Sequence, residues 1–180
     1  MDLRPALQIQ TVIKTLTDVI LPALDPNNKL AQEQAKLSIG TLQLVLQRQA
    51  LMYRYDLDEL SRSLELARNL RAQAQDLPGS APALKSLEES AKAGTDVRER
   101  ARAEPGELEA ANFDLREKIG ALVTAVYSSS ETAKLKQISK TVMAHAKEQL
   151  LRERSWLIAQ GWEPDPKSIP PIESLISGSK

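Results

Sequence analysis

An all-α fold follows from three observations. The aromatic content is very low, with one Phe (Phe113), three Tyr (Tyr53, Tyr55, Tyr127) and two Trp (Trp156, Trp162) in 180 residues. Leucine, alanine and the long polar residues that dominate instead are strong helix formers, whereas strands draw on β-branched and aromatic side chains. Apolar positions also recur at spacings of three and four, and Pro and Gly gather between those stretches. The expected architecture is an antiparallel helical bundle of four to six helices forming one domain over 1–160, with a Pro-rich C-terminal tail over 161–180. A chain of this length is normally a single domain able to bury a core.

The first helix is predicted from about Leu3 to Leu21, with Leu7, Ile9, Val12, Ile13, Leu16, Val19 and Ile20 supplying its apolar positions. Pro22 should end or bend it. Asp25 is then the expected N-cap of the second helix, with Pro26 at its first position, where a missing N–H leaves no bond unmade. That helix carries Leu30, Leu37, Leu44 and Met52, with Ala31, Ile39, Leu42, Val45 and Leu46 around them. Its middle is apolar over more than half its circumference and is expected to be buried between neighbours. Gly40 reads either as a point of close helix approach or as a tolerated helical glycine.

A break is expected at 53–56, where Asp56 and Glu59 fit a capping box, although the same letters allow one kinked helix through to Gln75. Leu57, Leu60, Leu64, Ala67 and Leu70 share one face of this helix. The segment 76–82 (DLPGSAP) is a loop. Residues 83–103 form a charged, weakly apolar stretch, either a solvent-facing helix laced with ion pairs or a mobile arm, with Gly94–Thr95 as a possible division. A strong pattern returns from Glu107 to Tyr127. Ser128, Ser129 and Ser130 end that helix and cap the last one, which runs to about Ala159 before Gly161 stops it.

The same letters exclude much chemistry. Formal net charge is zero, so no global field steers the chain toward nucleic acid or an anionic membrane. Without cysteine there is no disulfide, thiolate nucleophile or Cys-based metal site. No apolar run approaches the ~20 residues needed to span a bilayer, and the N-terminus does not read as a secretory signal. A cytoplasmic protein of bacterial style is expected, with no membrane partner.

His145 is the single histidine, and Val142 stands where a Glu-x-x-His metal motif would need a carboxylate. It reads as a surface or boundary residue on the last helix. No Ser-His-Asp set, nucleophile elbow or Gly-rich phosphate loop is present. The acids Asp56, Asp58 and Glu59, Glu88 and Glu89, and Glu107 and Glu109 are explained by caps, solvated faces and helix N-termini. The basic bias of the last helix (Lys134, Lys136, Lys140, Lys147, Arg152, Arg154) lacks the aromatic interleaving of a nucleic-acid surface. The reading is therefore of a protein that is not an enzyme and has no catalytic residue, metal or cofactor.

Apolar groups remain as the candidates for function. Leu37, Leu44 and Met52 on the second helix, with Trp156, Trp162, Ile172 and Leu175 toward the C-terminus, form the expected interaction surface. The tail is expected to wrap back onto the bundle, the alternative being a docking arm for another chain.

The stretch TDVILPALDPNNKLAQEQAKLSIGTLQLVLQR resembles a poorly characterised bacterial helical family, over about Thr11 to Gln75. Its members occur alone or beside aminoglycoside-phosphotransferase-like kinases. The resemblance implies an accessory role near such a kinase. The kinase's own catalytic loop and metal-binding motifs are absent. The expected function is protein–protein contact, as a homo-oligomer or as an accessory to a metabolic enzyme. The alternative is a binder of a small apolar or acyl ligand held between helices at Leu37–Met52.

Overall fold

The computed structural model describes residues 4–127 and 132–176, and among these there is no strand. The helices are α1 (Pro5–Thr15), α2 (Leu21–Ala23), α3 (Lys29–Arg48), α4 (Met52–Ala74), α5 (Ala81–Glu99), α6 (Pro105–Tyr127), α7 (Thr132–Leu157) and α8 (Ile172–Leu175). The expected Ser128–Ser130 cap lies outside the described residues. Contacts gather the chain into two units, one of Met1–Met52 with Glu153–Ile172, the other of Tyr53–Arg152 with Glu173–Lys180. This division does not coincide with the boundary expected at 160.

In the first unit, the chain stays helical through Pro22. A π-helical turn, Leu16–Ile20, joins α1 to α2, and the Leu21 N–H reaches back to the Leu16 carbonyl. Proline lacks an N–H and its ring crowds the carbonyl four residues earlier, here Asp18, so the wider turn absorbs a residue that would break regular α geometry. The predicted cap of the second helix is corrected. Asp25 Oδ1 accepts from the Asn27 N–H at 2.9 Å, while Asn28 is the N-cap, its Oδ1 accepting from the Ala31 N–H at 3.0 Å. The Asp25–Pro26 pair builds the turn before the helix, because a short polar side chain bonding two residues ahead competes with capping. Gln32 Nε2 donates to the Leu24 carbonyl at 3.2 Å and pins the corner.

The expectation of a buried second helix is also corrected. Ile39 is the one buried residue of α3, and Leu30, Leu37 and Val45 are exposed. At the end of α3, Arg48 donates to the carbonyls of Trp156 (3.1 Å) and Ser155 (3.2 Å), with its guanidinium over the Trp156 ring. A cation there satisfies carbonyls that the end of α7 leaves unpaired. Ser155 Oγ donates to the Pro170 carbonyl at 2.7 Å, and Arg154 pairs with Glu163. Gly161 takes the left-handed conformation (φ 75°) that glycine adopts without strain and closes the helical stretch.

The second unit has a conventional aliphatic core. Leu60, Leu64, Leu66, Ala67 and Leu70 of α4 are buried with Leu87, Leu108, Leu115, Leu122, Val126 and Ile138. The helix break falls at 49–51, earlier than the expected 53–56, so Asp56 lies inside α4 and caps nothing. Buried Ser80 donates to the Ala74 and Leu77 carbonyls and closes the turn before α5. Of the charged stretch 83–103, residues 83–99 belong to one continuous helix, α5, packed on α6. Buried Gly94 does not divide it: a Cβ there would stand 3.3 Å from Leu60 Cδ1 and 3.5 Å from Leu64 Cδ2, so the absent side chain lets α5 approach α4. At the start of α6 the Glu107 carboxylate accepts from the Glu104 N–H at 2.8 Å, satisfying a donor that the helix leaves open.

Candidate functional site

The side chains expected to form an interaction surface separate. In the first unit, Leu37 and Met52 are exposed, and Leu44 and Trp156 are half-buried. Trp162 is 70% exposed, whereas Ile172 is 1% exposed and so is corrected from surface to core. Leu175, in the second unit, is half-buried, and its carbonyl accepts from Arg62 Nη2 at 3.2 Å. On α3, Leu30, Leu37 and Leu44 recur every seven residues, and Leu37, Thr41 and Val45 recur every four. These rows fall on one side of the helix. With Leu30 68% exposed, that side is an apolar stripe in contact with water.

The second unit holds a groove of about 750 Å³ between α4 and α5. This is within the roughly 300–1,000 Å³ of small-molecule sites. Leu64, Ala67, Leu87 and Ala91 line its apolar part, while Arg68, Arg71, Lys92 and Arg98 outnumber Glu65 and Glu88 among its charged residues. The two helices run antiparallel along it, since Arg71 pairs with Glu88 at 3.1 Å while Gly94 lies by Leu60 and Leu64. The alternative ligand site was expected at Leu37–Met52; the groove lies elsewhere.

A buried ionic cluster escaped the sequence reading. Asp58 Oδ2 lies 2.8 Å from Arg152 Nη2 and 2.9 Å from Arg62 Nε, and the side chains of Asp58 and Arg152 are 4% and 2% exposed. Arg152 also donates to Gln149 Oε1 at 2.7 Å, and its guanidinium stacks 4.6 Å from the Tyr55 ring centroid. Arg62 reaches Glu148 at 2.9 Å. Arg152 Nε and Asn112 Oδ1 are buried with no hydrogen-bond partner among the described residues. The i,i+4 spacing of Asp58 and Arg62 was the available signal, but Arg152 is joined to them only by folding.

His145 sits in a smaller cleft of about 380 Å³ with Arg62, Asn69, Lys140 and Glu148. Burial lowers its pKa below the usual histidine value, against the opposing pull of Glu148. The Asp56 carboxyl is pushed up to about 6, chiefly by burial and then by Glu59 and Glu109. Among the described residues no group of three or more His, Cys, Asp or Glu could hold a metal ion, and no helix is long and apolar enough to cross a membrane. No protein-family model, curated protein or solved structure matches the chain.

Proposed function

We propose that this protein is a non-catalytic, cytoplasmic helical-bundle protein that works through protein–protein contacts of its first unit. It does so as a homo-oligomer or as an accessory to another enzyme, a small-molecule kinase being the candidate the resemblance offers. The observation that carries this reading is the apolar stripe of α3, Leu30, Leu37, Leu44 and Val45, in a unit whose helices bury little else. Amphipathic helices are stabilised mainly by packing the apolar face against another element. A large apolar face left in water marks an interaction site more often than it serves a monomer. Size-exclusion chromatography with light scattering, together with co-purification, tests it. A dimer or a stoichiometric partner, lost in the Leu30→Asp/Leu37→Asp double variant, is the expected result. A strict monomer without a partner would remove the reading.

A second reading has its own observation. The groove between α4 and α5 has the size and apolar lining to hold a small apolar or acyl ligand between helices. Native mass spectrometry of gently purified protein tests this, the expected result being an added mass that organic extraction removes.

A further inference from the structure

We infer that the α4–α5 groove selects a single-chain anionic amphiphile, an acyl chain carrying a carboxylate or phosphate head. This rests on the reading of the groove as a ligand site and adds the chemistry of the head group.

The lining divides by chemistry. Leu64, Ala67 and Leu87 are buried in the core and present apolar surface at the base, with half-buried Ala91 beside them. The lining residues of α4 run from Ser61 to Arg71, a length of about 15 Å at 1.5 Å per residue. That is a slot for an extended chain rather than a compact ring system.

Charge along the slot is uneven. Arg71 and Glu88 neutralise each other across one end. Further along, the antiparallel run sets Lys92 of α5 opposite the 64–68 stretch of α4, and both Lys92 and Arg68 line the groove. Against these two cations stands Glu65, which lies 4.0 Å from Arg68, a loose pair. Arg98 adds a third cation toward the Ser61 end, paired with its sequence neighbour Glu99. The hydroxyls of Ser61 and Thr95 donate to the Leu57 and Ala91 carbonyls in their own helices, so both present lone pairs to the groove and offer an anion no free donor. The head group is therefore held by Lys92 and Arg68, since Arg98 lies toward the other end of the slot and is paired with Glu99. A carboxylate or a phosphate monoester suits them equally, through charge-assisted hydrogen bonds from ammonium and guanidinium groups. A neutral polar head would gain the apolar contact but not these bonds.

Binding of dodecanoate, dodecyl phosphate and neutral dodecyl maltoside, each below its micelle concentration, tests the inference by calorimetry and native mass spectrometry on the full chain. The anions are expected to bind at least about tenfold more tightly than the maltoside, a difference of about 1.4 kcal/mol. The Arg68→Glu/Lys92→Glu double variant should erase that preference and leave its helical circular dichroism unchanged, since both side chains are exposed. Tighter binding of either anion than of the maltoside supports the inference, and the difference between dodecyl phosphate and dodecanoate tells the two heads apart. Equal binding of anions and maltoside overturns the head-group inference but keeps the groove as an apolar site. Anion binding that survives the double variant places the ligand elsewhere and overturns it too. No binding by any of the three removes both the inference and the ligand reading beneath it.

Discussion

The two units of this chain draw on the same letters and spend them differently. In the second, Leu60, Leu108 and Leu115 are removed from water entirely; in the first, Leu30, Leu37, Val12 and Val19 stand in it. Both carry helical periodicity of similar quality. An apolar stripe therefore fixes which side of a helix wants cover without saying whether the same chain supplies it. The second unit also buries an ionic cluster, which demands close geometry, whereas the first fastens its ends with Arg48 on helix-terminal carbonyls and a serine on a loop carbonyl.

The sharpest way to break that contrast is at the ionic cluster. Asp58→Ala leaves Arg152 buried without its carboxylate and should cost about 3–5 kcal/mol. The Asp58→Leu/Arg152→Met pair should recover much of that loss, as urea denaturation will show. Equal costs for the single and double variants would mean that the charges themselves stabilise the unit.

Leucine truncation separates the units most directly. Leu108→Ala should destabilise by about 2–5 kcal/mol through lost burial and the cavity left behind. Leu30→Ala should stay within about 0.5 kcal/mol in the isolated chain. A loss at Leu30 that grows with protein concentration would show the stripe covered by a second copy, as the self-associated form requires.

Asp56 gives the second unit a pH response of its own. The folded pKa of Asp56 is raised from 3.8 to about 6, so the folded state holds its proton more tightly than the unfolded chain. Its stabilising contribution is full below about pH 4 and is lost as pH rises through about 6. Asp56→Asn should remove this slope and stabilise the protein at pH 7 by about 1 kcal/mol, a figure discounted because the side chain is only partly buried. Thermal melts from pH 4 to 7 will test it; an unchanged slope in the variant would assign the dependence to another group.

The smallest effect concerns two helical glycines. Nothing lies within 4 Å of a Cβ built on Gly120, so Gly120→Ala should stabilise by about 0.8–1 kcal/mol. Gly94→Ala gains the same helix propensity but meets Leu60 at 3.3 Å, and should come out near zero. Chemical denaturation of the two variants will rank them.

Much of the fold was legible in the sequence, and the particulars show why. The face Leu57, Leu60, Leu64, Ala67 and Leu70 reads straight into the core of the second unit, because one helix with one partner surface obeys a single period. The all-helical class follows from composition, and Gly161 marks a helix end through its backbone freedom alone. The N-cap did not transfer, because Asp25 and Asn28 have equivalent side chains and only the local turn decides which one meets a helix N–H. The break at 49–51 is not legible in the sequence because no proline or glycine marks it. The apolar content of α3 implies more burial than Ile39 alone, because composition does not reveal whether a neighbour is present. The groove was invisible for a related reason: Arg68 and Lys92 are ordinary surface residues until two helices bring them to one slot.

The wide turn before Pro22 has a consequence for how the N-terminal region can be mutated. One extra residue in a helix displaces everything beyond it by about 100° relative to what precedes it. Residues 5–15 and 21–23 therefore obey two different helical wheels, and an alanine scan plotted on one would assign the residues of the other to the wrong face. Deleting Thr17 would restore a single reading frame, but at the cost of pressing the proline ring against a backbone carbonyl. The slip is thus part of the specification, like a silent character that keeps the rest of the line in register.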